Sequence, residues 1–394
     1  MIFDWFQLSF LVWMLAALLL LVFLVQLFFY LRYFRGIINH FNRNQKGKEV
    51  PETAQPPVTV IICAHDKANS LGQNLPAILE QDYPEFQVVV VNDASSDETE
   101  NVLVGLEQTY KNLYHTFIPS KVQSVSAKKM AVTLGIKAAK YDILLFTDAD
   151  CIPGSNQWIS SMMRHFDAPH DIVFGYSSFN NITGFLKYRI PYDTLFTALQ
   201  FMDFSEAGKA YKGFGNNLAY RKDLFFKNRG FASHLNLESG EDDLFIGEVA
   251  SKSNTSIDVS PESKMLVSTE EVWDCWKDLK TSQISTYPYY KIGTKFRIRT
   301  ELFSRFLFYG LSIALLVVGL IGLNIFLIVF AGGLFLLRYS LQLSVINKSA
   351  KCLDESRFYL SLPVFDILLP LINMWFRITL LFHKENTYTW RVLH

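Results

Sequence analysis

Cysteine is scarce and unpatterned: Cys63, Cys151, Cys275 and Cys352 are the only four, and no two stand in a CxxC pair. A small disulfide scaffold is thereby excluded. The eight histidines form no HExxH or CxxC…H pattern, which argues against a structural zinc site. An excess of positive charge is also missing, since 37 Lys and Arg balance 37 Asp and Glu. No basic field exists to gather nucleic acid by counterion release, so no nucleic-acid partner is expected. The chain has neither a GxxxxGKS/T phosphate loop nor a GxSxG elbow. Phosphate-loop ATPase and α/β-hydrolase chemistry are disfavoured accordingly. Gly213-Phe-Gly215 lacks the third glycine of a dinucleotide fingerprint, and no ribose-binding acid follows a second strand at the expected distance, so NAD binding is rejected.

What the chain has in quantity is apolar surface. Charged residues make up 19% and AVILMFWYC 50% of its 394 residues, against about 25% charge in ordinary soluble domains. Lipid-facing segments are the expected use. Leu8 to Leu31 is apolar apart from Ser9 and Gln26, with Phe3, Trp5 and Tyr30 flanking it, and it exceeds the roughly 20 helical residues that a membrane crossing needs. A signal peptide would carry a shorter apolar core behind a basic start. Here Asp4 precedes the run, and Arg32, Arg35, Arg43, Lys46 and Lys48 follow it. The positive-inside rule then puts the N-terminus outside and the following chain in the cytoplasm.

A second apolar stretch, Phe303 to Ile346, is long enough for two spanning helices, with Gly319-Leu-Ile-Gly322-Leu-Asn324 as the turn between them. Arg297, Arg299 and Arg305 on one side, and Lys348 and Lys351 on the other, fit two cytoplasmic ends. The third stretch, Phe358 to Phe382, is interrupted by Pro363, Asp366, Pro370, Asn373 and Arg377. It crosses, re-enters or lies in the interface. Ionised groups at membrane depth favour a packed or interfacial segment over a free span. The expected division is an anchor at 1–31, a basic cytoplasmic linker at 32–57, a catalytic domain at 58–300, a hairpin at 301–346, and a membrane or interfacial segment with the tail at 347–394.

Inside that domain, Val58-Thr-Val-Ile-Ile-Cys63, Val88 to Val91 and Ile143 to Phe146 read as buried strands of a mostly parallel sheet. Helical patterns occupy Ala68 to Gln81, Thr99 to Tyr110 (with Ser95, Ser96 and Asp97 as cap candidates) and Lys128 to Ala139. The alternation predicts an α/β fold whose ligands sit at the carboxyl ends of the strands. Acids stand at those ends: Asp66 after His65, Asp93 after Asn92, and Asp148-Ala-Asp150. A single such acid is commonly a helix cap; four converging ones call for another account. Asp148 and Asp150 alternate by two, so on extended backbone they point to one side, where hard carboxylates suit Mg2+ or Mn2+ against a diphosphate. Glu241-Asp242-Asp243 precedes an apolar helical run, either as acids at a helix N-terminus or as the site of a general base.

The order of these motifs resembles the family 2 glycosyltransferases, which are membrane-anchored inverting enzymes of GT-A fold, over roughly Val58 to Lys295. The resemblance implies a nucleotide-facing loop at Ala64, His65 and Asp66, and a base-contacting aspartate at Asp93. It implies a basic residue near the donor phosphates at Lys128, and a metal pair at Asp148 and Asp150, Asp148 also facing the donor. Glu241-Asp242 resembles the ED motif, making Asp242 the general base and placing Glu241 with Gly215, Asn216 and Asn217 on the acceptor side. The expected partners are a nucleotide-sugar, with UDP the best guess, a lipid-linked or glycan acceptor, and membrane lipids. Three departures stand out: Lys67 where many relatives have glutamate, Asn92 for the first of two common aspartates, and no QxxRW between Trp273 and Tyr290. A nucleotidyltransferase would need a glycine-rich loop between Ala64 and Leu75, and none is there. The remaining alternative is a catalytically inactive membrane scaffold.

Overall fold

The computed structural model describes residues 10–45, 55–119, 126–166, 169–180, 182–184, 186–269 and 271–382. Phe3, Asp4, Trp5, Lys46, Lys48 and most of the stretch 49–57 lie outside the described residues. Two helices come first, α1 (Phe10–Arg32) and α2 (Gly36–Gln45). Strand and helix then alternate through β1 (Val58–Ala64), α3 (Ala68–Leu79), β2 (Phe86–Asp93), α4 (Thr99–Thr109), β3 (Leu113–Ile118), α5 (Ala127–Ala138) and β4 (Ile143–Asp148). Shorter elements follow: β5 (Cys151–Pro153), α6 (Trp158–Met163), β6 (Ile172–Phe174), β7 (Ser177–Phe179), the long α7 (Leu186–Glu206), β8 (Leu218–Arg221), α8 (Lys222–Lys227), α9 (Asp243–Val249), β9 (Thr255–Ile257), β10 (Met265–Val267) and α10 (Val272–Thr286). Three long helices end the described chain, α11 (Ile292–Ile321), α12 (Ile325–Cys352) and α13 (Leu362–Phe382).

The main sheet has seven strands in the order β3-β2-β1-β4-β8-β6-β9, and β5-β10-β7 form a smaller one. β1, β2, β3 and β4 pair in parallel, while β8 runs antiparallel to both β4 and β6. Every residue of β1 is buried, as a strand covered on both faces requires. Its side chains divide by parity. Val58, Val60 and Ile62 join Leu71, Leu75 and Trp158 in one core, and Ile61 and Cys63 join Ala131, Val132 and Ile136 of α5 in the other. α5 lies close to the sheet at Gly135, where a Cβ would come within 2.6 Å of Ile61 Cγ2.

Among the described residues, four helices are long and apolar enough to cross a membrane, by length and composition. The turn between α11 and α12 falls at the expected residues, with the Asn324 side chain capping α12 by accepting from Leu327 N at 3.1 Å. Residues 36–45, read from sequence as linker, form α2 packed on α7, where Ile37 N donates to Asp203 Oδ1 at 2.5 Å and Arg43 pairs with Glu206. Ser95 and Ser96 do not cap α4. Asp97 accepts from Thr99 N at 3.0 Å instead, and Ser96 turns to Asp66.

In the third stretch, Asp366 packs against the neighbouring helices. It is fully buried, with Arg338 Nη2 at 2.8 Å and Arg305 Nη1 at 3.1 Å. Tyr309 OH donates to it at 2.9 Å, Arg305 Nε also donates to Glu301 at 3.0 Å, and Arg338 Nη2 reaches Gln26 of α1 at 2.9 Å. Two arginines and two acids thus cancel inside a knot that joins α1, α11, α12 and α13. Removing one partner of a buried pair strands the other charges, at a cost of roughly 3–5 kcal/mol. Asp366→Ala should therefore lower the thermal midpoint of the detergent-purified protein sharply, whereas Lys351→Ala at the exposed end of α12 should leave it nearly unchanged. Equal midpoints for the two variants would refute the role assigned to the knot.

Candidate active site

The parallel strands end on one side of the sheet, and their following loops open into a cleft of about 790 Å³. β1 leads to His65, Asp66 and Lys67, and β4 leads to Asp148 and Asp150. Lys128 enters from the first turn of α5, Phe214 and Asn216 from the loop before β8, Glu238 to Asp242 from the loop before α9, and Asp243 from the first residue of α9. α10 closes the far wall with Cys275, Asp278 and Gln283.

Each acid has its own surroundings. Asp66 sits in the left-handed region at φ 50°, and its Oδ1 accepts from Ser96 N at 2.6 Å and Asp97 N at 3.2 Å, tying the β1 loop to the β2 loop. Asp148 ends β4, but Ala149 and Asp150 turn away from the strand, so the pair does not occupy one extended segment as the alternation predicts. Asp150 instead receives Lys67 Nζ at 2.8 Å and Ser70 Oγ at 2.6 Å. Lys67, a departure from the family pattern, is therefore the cation of that corner. Burial alone would depress its pKa, and the Asp150 carboxylate raises it.

Across the cleft, Lys128 Nζ lies 3.1 Å from Glu241 Oε1 and 4.0 Å from Asp148 Oδ1. Against the opposing effect of burial, Glu241, Asp148 and Asp242 push the Lys128 pKa well up. Asp242 stands at the N-cap position of α9 without making a side-chain cap bond. Its Oδ2 accepts from Gly215 N at 2.8 Å. A side chain at Gly215 would displace that carboxylate, because a Cβ would come within 2.7 Å of Asp242 Oδ1. Burial first, and then the charge of Glu241, push the Asp242 carboxyl up to about 8, with Lys128 opposing. Asp243, the neighbouring acid, is engaged differently: Thr286 Oγ1 and Tyr290 OH both donate to its Oδ2, the tyrosine at 2.7 Å. Its carboxyl is also raised by burial, and those two hydrogen bonds oppose the rise.

Of the residues singled out from sequence, His65, Asp66, Lys128, Asp148, Asp150, Asn216, Glu241 and Asp242 line the cleft together. Ala64, Asp93, Gly215 and Asn217 are not among its lining residues. Asp93 is fully buried beneath the loop, with its carbonyl oxygen 2.7 Å from His65 Nδ1. Asn217 is a joint of the scaffold: Trp158 Nε1 donates to its Oδ1 at 3.0 Å, and its Nδ2 donates to Tyr176 O and Ser263 O. Lys129 went unread in the sequence. Its Nζ donates to the carbonyls of His234, Leu237 and Ser239, holding the loop that delivers Glu241. Its place beside Lys128 was the one available signal. Thr286 and Tyr290 carried none. Among the described residues no group of three or more His, Cys, Asp or Glu side chains converges as a metal cage.

Residues 59–227 match the family model of glycosyl transferase family 2. A poly-beta-1,6-N-acetyl-D-glucosamine synthase of Staphylococcus epidermidis is 26% identical over 112 residues, 28% of this chain and 26% of that one. A synthase of the same name from Staphylococcus aureus is 26% identical over 95 residues, 24% of this chain and 22% of that one. The matches span about a quarter of the length of these relatives. Among solved structures, a mannosyltransferase from Pyrobaculum calidifontis in complex with GDP-Man and Mn2+ has the same fold, with a TM-score of 0.52 at 17% identity over 90% of this chain and 99% of that one. The sheet is accordingly GT-A-like. Residues 59–227, which build β1 to β8 and the loops between them, thus carry the match to glycosyl transferase family 2 on a GT-A-like sheet.

Proposed function

We propose that the chain is a membrane-bound, inverting glycosyltransferase that moves a sugar from a nucleotide-sugar, UDP-linked, to a lipid-linked or glycan acceptor at the cytoplasmic membrane face. The observation that carries this reading is Asp242, a buried carboxylate raised to about 8, held by one backbone N–H at the edge of the cleft. A group so tuned takes a proton near neutral pH. Asp242 receives the proton of the acceptor hydroxyl while that oxygen bonds to the anomeric carbon from the face opposite the diphosphate. One displacement inverts the centre. Lys128 offers its charge to the leaving diphosphate from the same wall. Asp243 is the poorer candidate for the base, because Thr286 and Tyr290 already donate to it.

A divalent cation fits this cleft. Ten acidic side chains and three lysines line it among the described residues, so a diphosphate needs further positive charge there. Mg2+ is usually held by one or two carboxylates plus substrate phosphates, so an all-protein cage is not required. Asp148 and Asp150 would hold Mg2+ or Mn2+, which supplies charge to neutralise the diphosphate when bound. The solved relative in fold carries GDP-Man and Mn2+, and the sequence relatives are named for N-acetylglucosamine polymers. Both support a nucleotide-sugar donor.

The membrane reading rests on the four long apolar helices and on where their basic residues fall. Arg32 ends α1, Arg297 and Arg299 lie in the first turns of α11, and Lys348 and Lys351 lie in the last turns of α12. In a hairpin arrangement these three ends share one side with the cleft, and positive residues assign that side to the cytoplasm. A lipid-linked acceptor is the substrate such an arrangement serves best.

Three outcomes test the proposal. Asp242→Asn should keep donor binding but lower transfer by about 100- to 10,000-fold. The wild-type kcat/KM should rise with pH through about 8, as the base loses its proton, and the variant should lack that limb. A larger loss in Asp243→Asn would move the base one residue along. UDP should bind more tightly to the wild type with Mn2+ than with EDTA, and Asp150→Ala should lose that gain; identical affinity under both conditions in the wild type rules out the metal. A single cysteine at Arg43 should react with an impermeant maleimide only after cells are opened, and labelling of intact cells would invert the topology.

A further inference from the structure

A groove of about 410 Å³ lies between α1 and α11, and none of the residues that line it lines the cleft. Its volume is that of an ordinary ligand site, roughly 300–1,000 Å³. Leu21, Leu24, Phe28 and Phe29 of α1 and Phe296 of α11 form most of its wall. Of these, Leu21, Leu24, Phe28 and Phe296 are exposed, on two helices long and apolar enough to cross a membrane. In a bilayer such a strip takes a hydrocarbon chain, because nothing else at that depth covers apolar side chains.

An apolar strip alone would accept any lipid tail. The groove also contains one cation, Arg297, in the first turns of α11. Its Nε is buried and has no hydrogen-bond partner among the described residues, and Nη2 donates to Thr294 Oγ1 at 3.4 Å. Arg305, further along the same helix, meets Glu301 and Asp366. Arg297 joins no such ion pair among the described residues. Leaving a buried guanidinium N–H without an acceptor is costly, and its planar fork suits a phosphate. The surrounding charge has one sign. No Asp or Glu occurs from Trp5 to Lys48 or from Leu279 to Thr300, whereas Arg32, Arg35, Lys291, Lys295 and Arg299 stand near these helix ends. Basic residues so placed attract a headgroup with net negative charge, and a zwitterionic one gains little from them.

We infer that the groove binds one anionic phospholipid, with an acyl chain along Leu21, Leu24, Phe28 and Phe296 and the phosphate on Arg297. The lipid is a bound partner and not the acceptor, since it sits outside the cleft. It rests on the membrane reading of α1 and α11, and it holds whichever sugar the cleft transfers. Tyr33 also lines the groove and stacks on Phe204 of α7, with ring centroids 4.7 Å apart. A filled groove therefore braces α1 against α11 and, through Tyr33, against α7.

The test titrates the full-length protein in detergent with dioleoyl phosphatidylglycerol, dioleoyl phosphatidylcholine or inorganic phosphate. Native mass spectrometry counts the bound lipids, and the thermal midpoint is followed in parallel. One phosphatidylglycerol should be retained over phosphatidylcholine by about 10-fold, the scale of one or two basic residues at a membrane surface. It should raise the midpoint by roughly 3 °C or more. Arg297→Gln should abolish the preference. Leu24→Trp, which fills the groove from α1 and leaves Arg297 in place, should lose the bound lipid and serves if the arginine variant does not fold. Lys348→Gln, which removes one positive charge from α12 outside the groove, should change neither readout. Equal retention of the two lipids by the wild type, or a preference that Arg297→Gln and Leu24→Trp both keep, overturns the site. A midpoint raised as far by inorganic phosphate alone also overturns it, because the ligand is then an anion without a chain. A wild type that stays monodisperse without detergent instead overturns the membrane reading beneath it.

Discussion

The cleft depends on the register of three parallel strands. Val58 of β1 lies opposite Phe86 of β2 and Ile143 of β4, so the three strands start level and end level. Cys63 is therefore opposite both Val91 and Asp148. Because each strand is buried on both faces, neither register nor direction is free to slip: a one-residue shift would exchange the two cores that the Val and Ile side chains fill. Everything chemical is then added at one edge. The first turn of α5 brings Lys128 to the end of β4, and the Lys129 ammonium pins the loop from which Glu241 reaches back to Lys128.

This arrangement gathers more negative charge than its lysines balance. Lys128 is shared by Glu241, Asp148 and Asp242, and Lys67 is committed to Asp150. The imbalance has two consequences with one cause. Asp242, buried beside Glu241, holds its proton to higher pH than a solvated aspartate does. Under the proposed function, a diphosphate entering the same space would meet repulsion that a divalent cation relieves. On that reading, the raised Asp242 carboxyl and the use of a metal are two expressions of the same uncompensated charge.

How much of this was legible from sequence follows from what each signal depends on. β1, β2 and β4 were readable because strands covered on both faces are written as unbroken β-branched runs. β3 was not: Leu-Tyr-His-Thr-Phe-Ile lies at the sheet edge, mostly exposed or half-buried, and carries no such run. The acids at the strand ends were visible as residues, but their exposure was not. Asp93 proves fully buried, and Asn217 is spent on Trp158 and two backbone carbonyls. The departure of Asp150 from the strand was equally hidden, since a two-residue spacing says nothing of where the backbone turns. Asp366 and Arg338 could be flagged as costly at membrane depth. Their pairing, with Arg305 as third partner, joins three different helices and leaves no local spacing to read.

The helices and the base loop form one packed body. Tyr33, just past α1, stacks on Phe204 of α7, with ring centroids 4.7 Å apart. Phe204 meets Tyr211, and Tyr211 meets Tyr290, in edge-on contacts at 5.6 and 5.5 Å. The Tyr290 hydroxyl then donates to Asp243, next to the base. Tyr290 also lies two residues before α11, the helix whose Arg305 takes part in the buried charge knot. The loop that carries Asp242 is thus anchored on one side by Lys129 and on the other by the entry to the long apolar helices. Aromatic contacts of this kind transmit displacement because close-packed interiors have little room to absorb it. The position of Asp242 is therefore set relative to the helices as well as to the sheet, and under the proposed function an acceptor held against those helices would reach it in a fixed orientation.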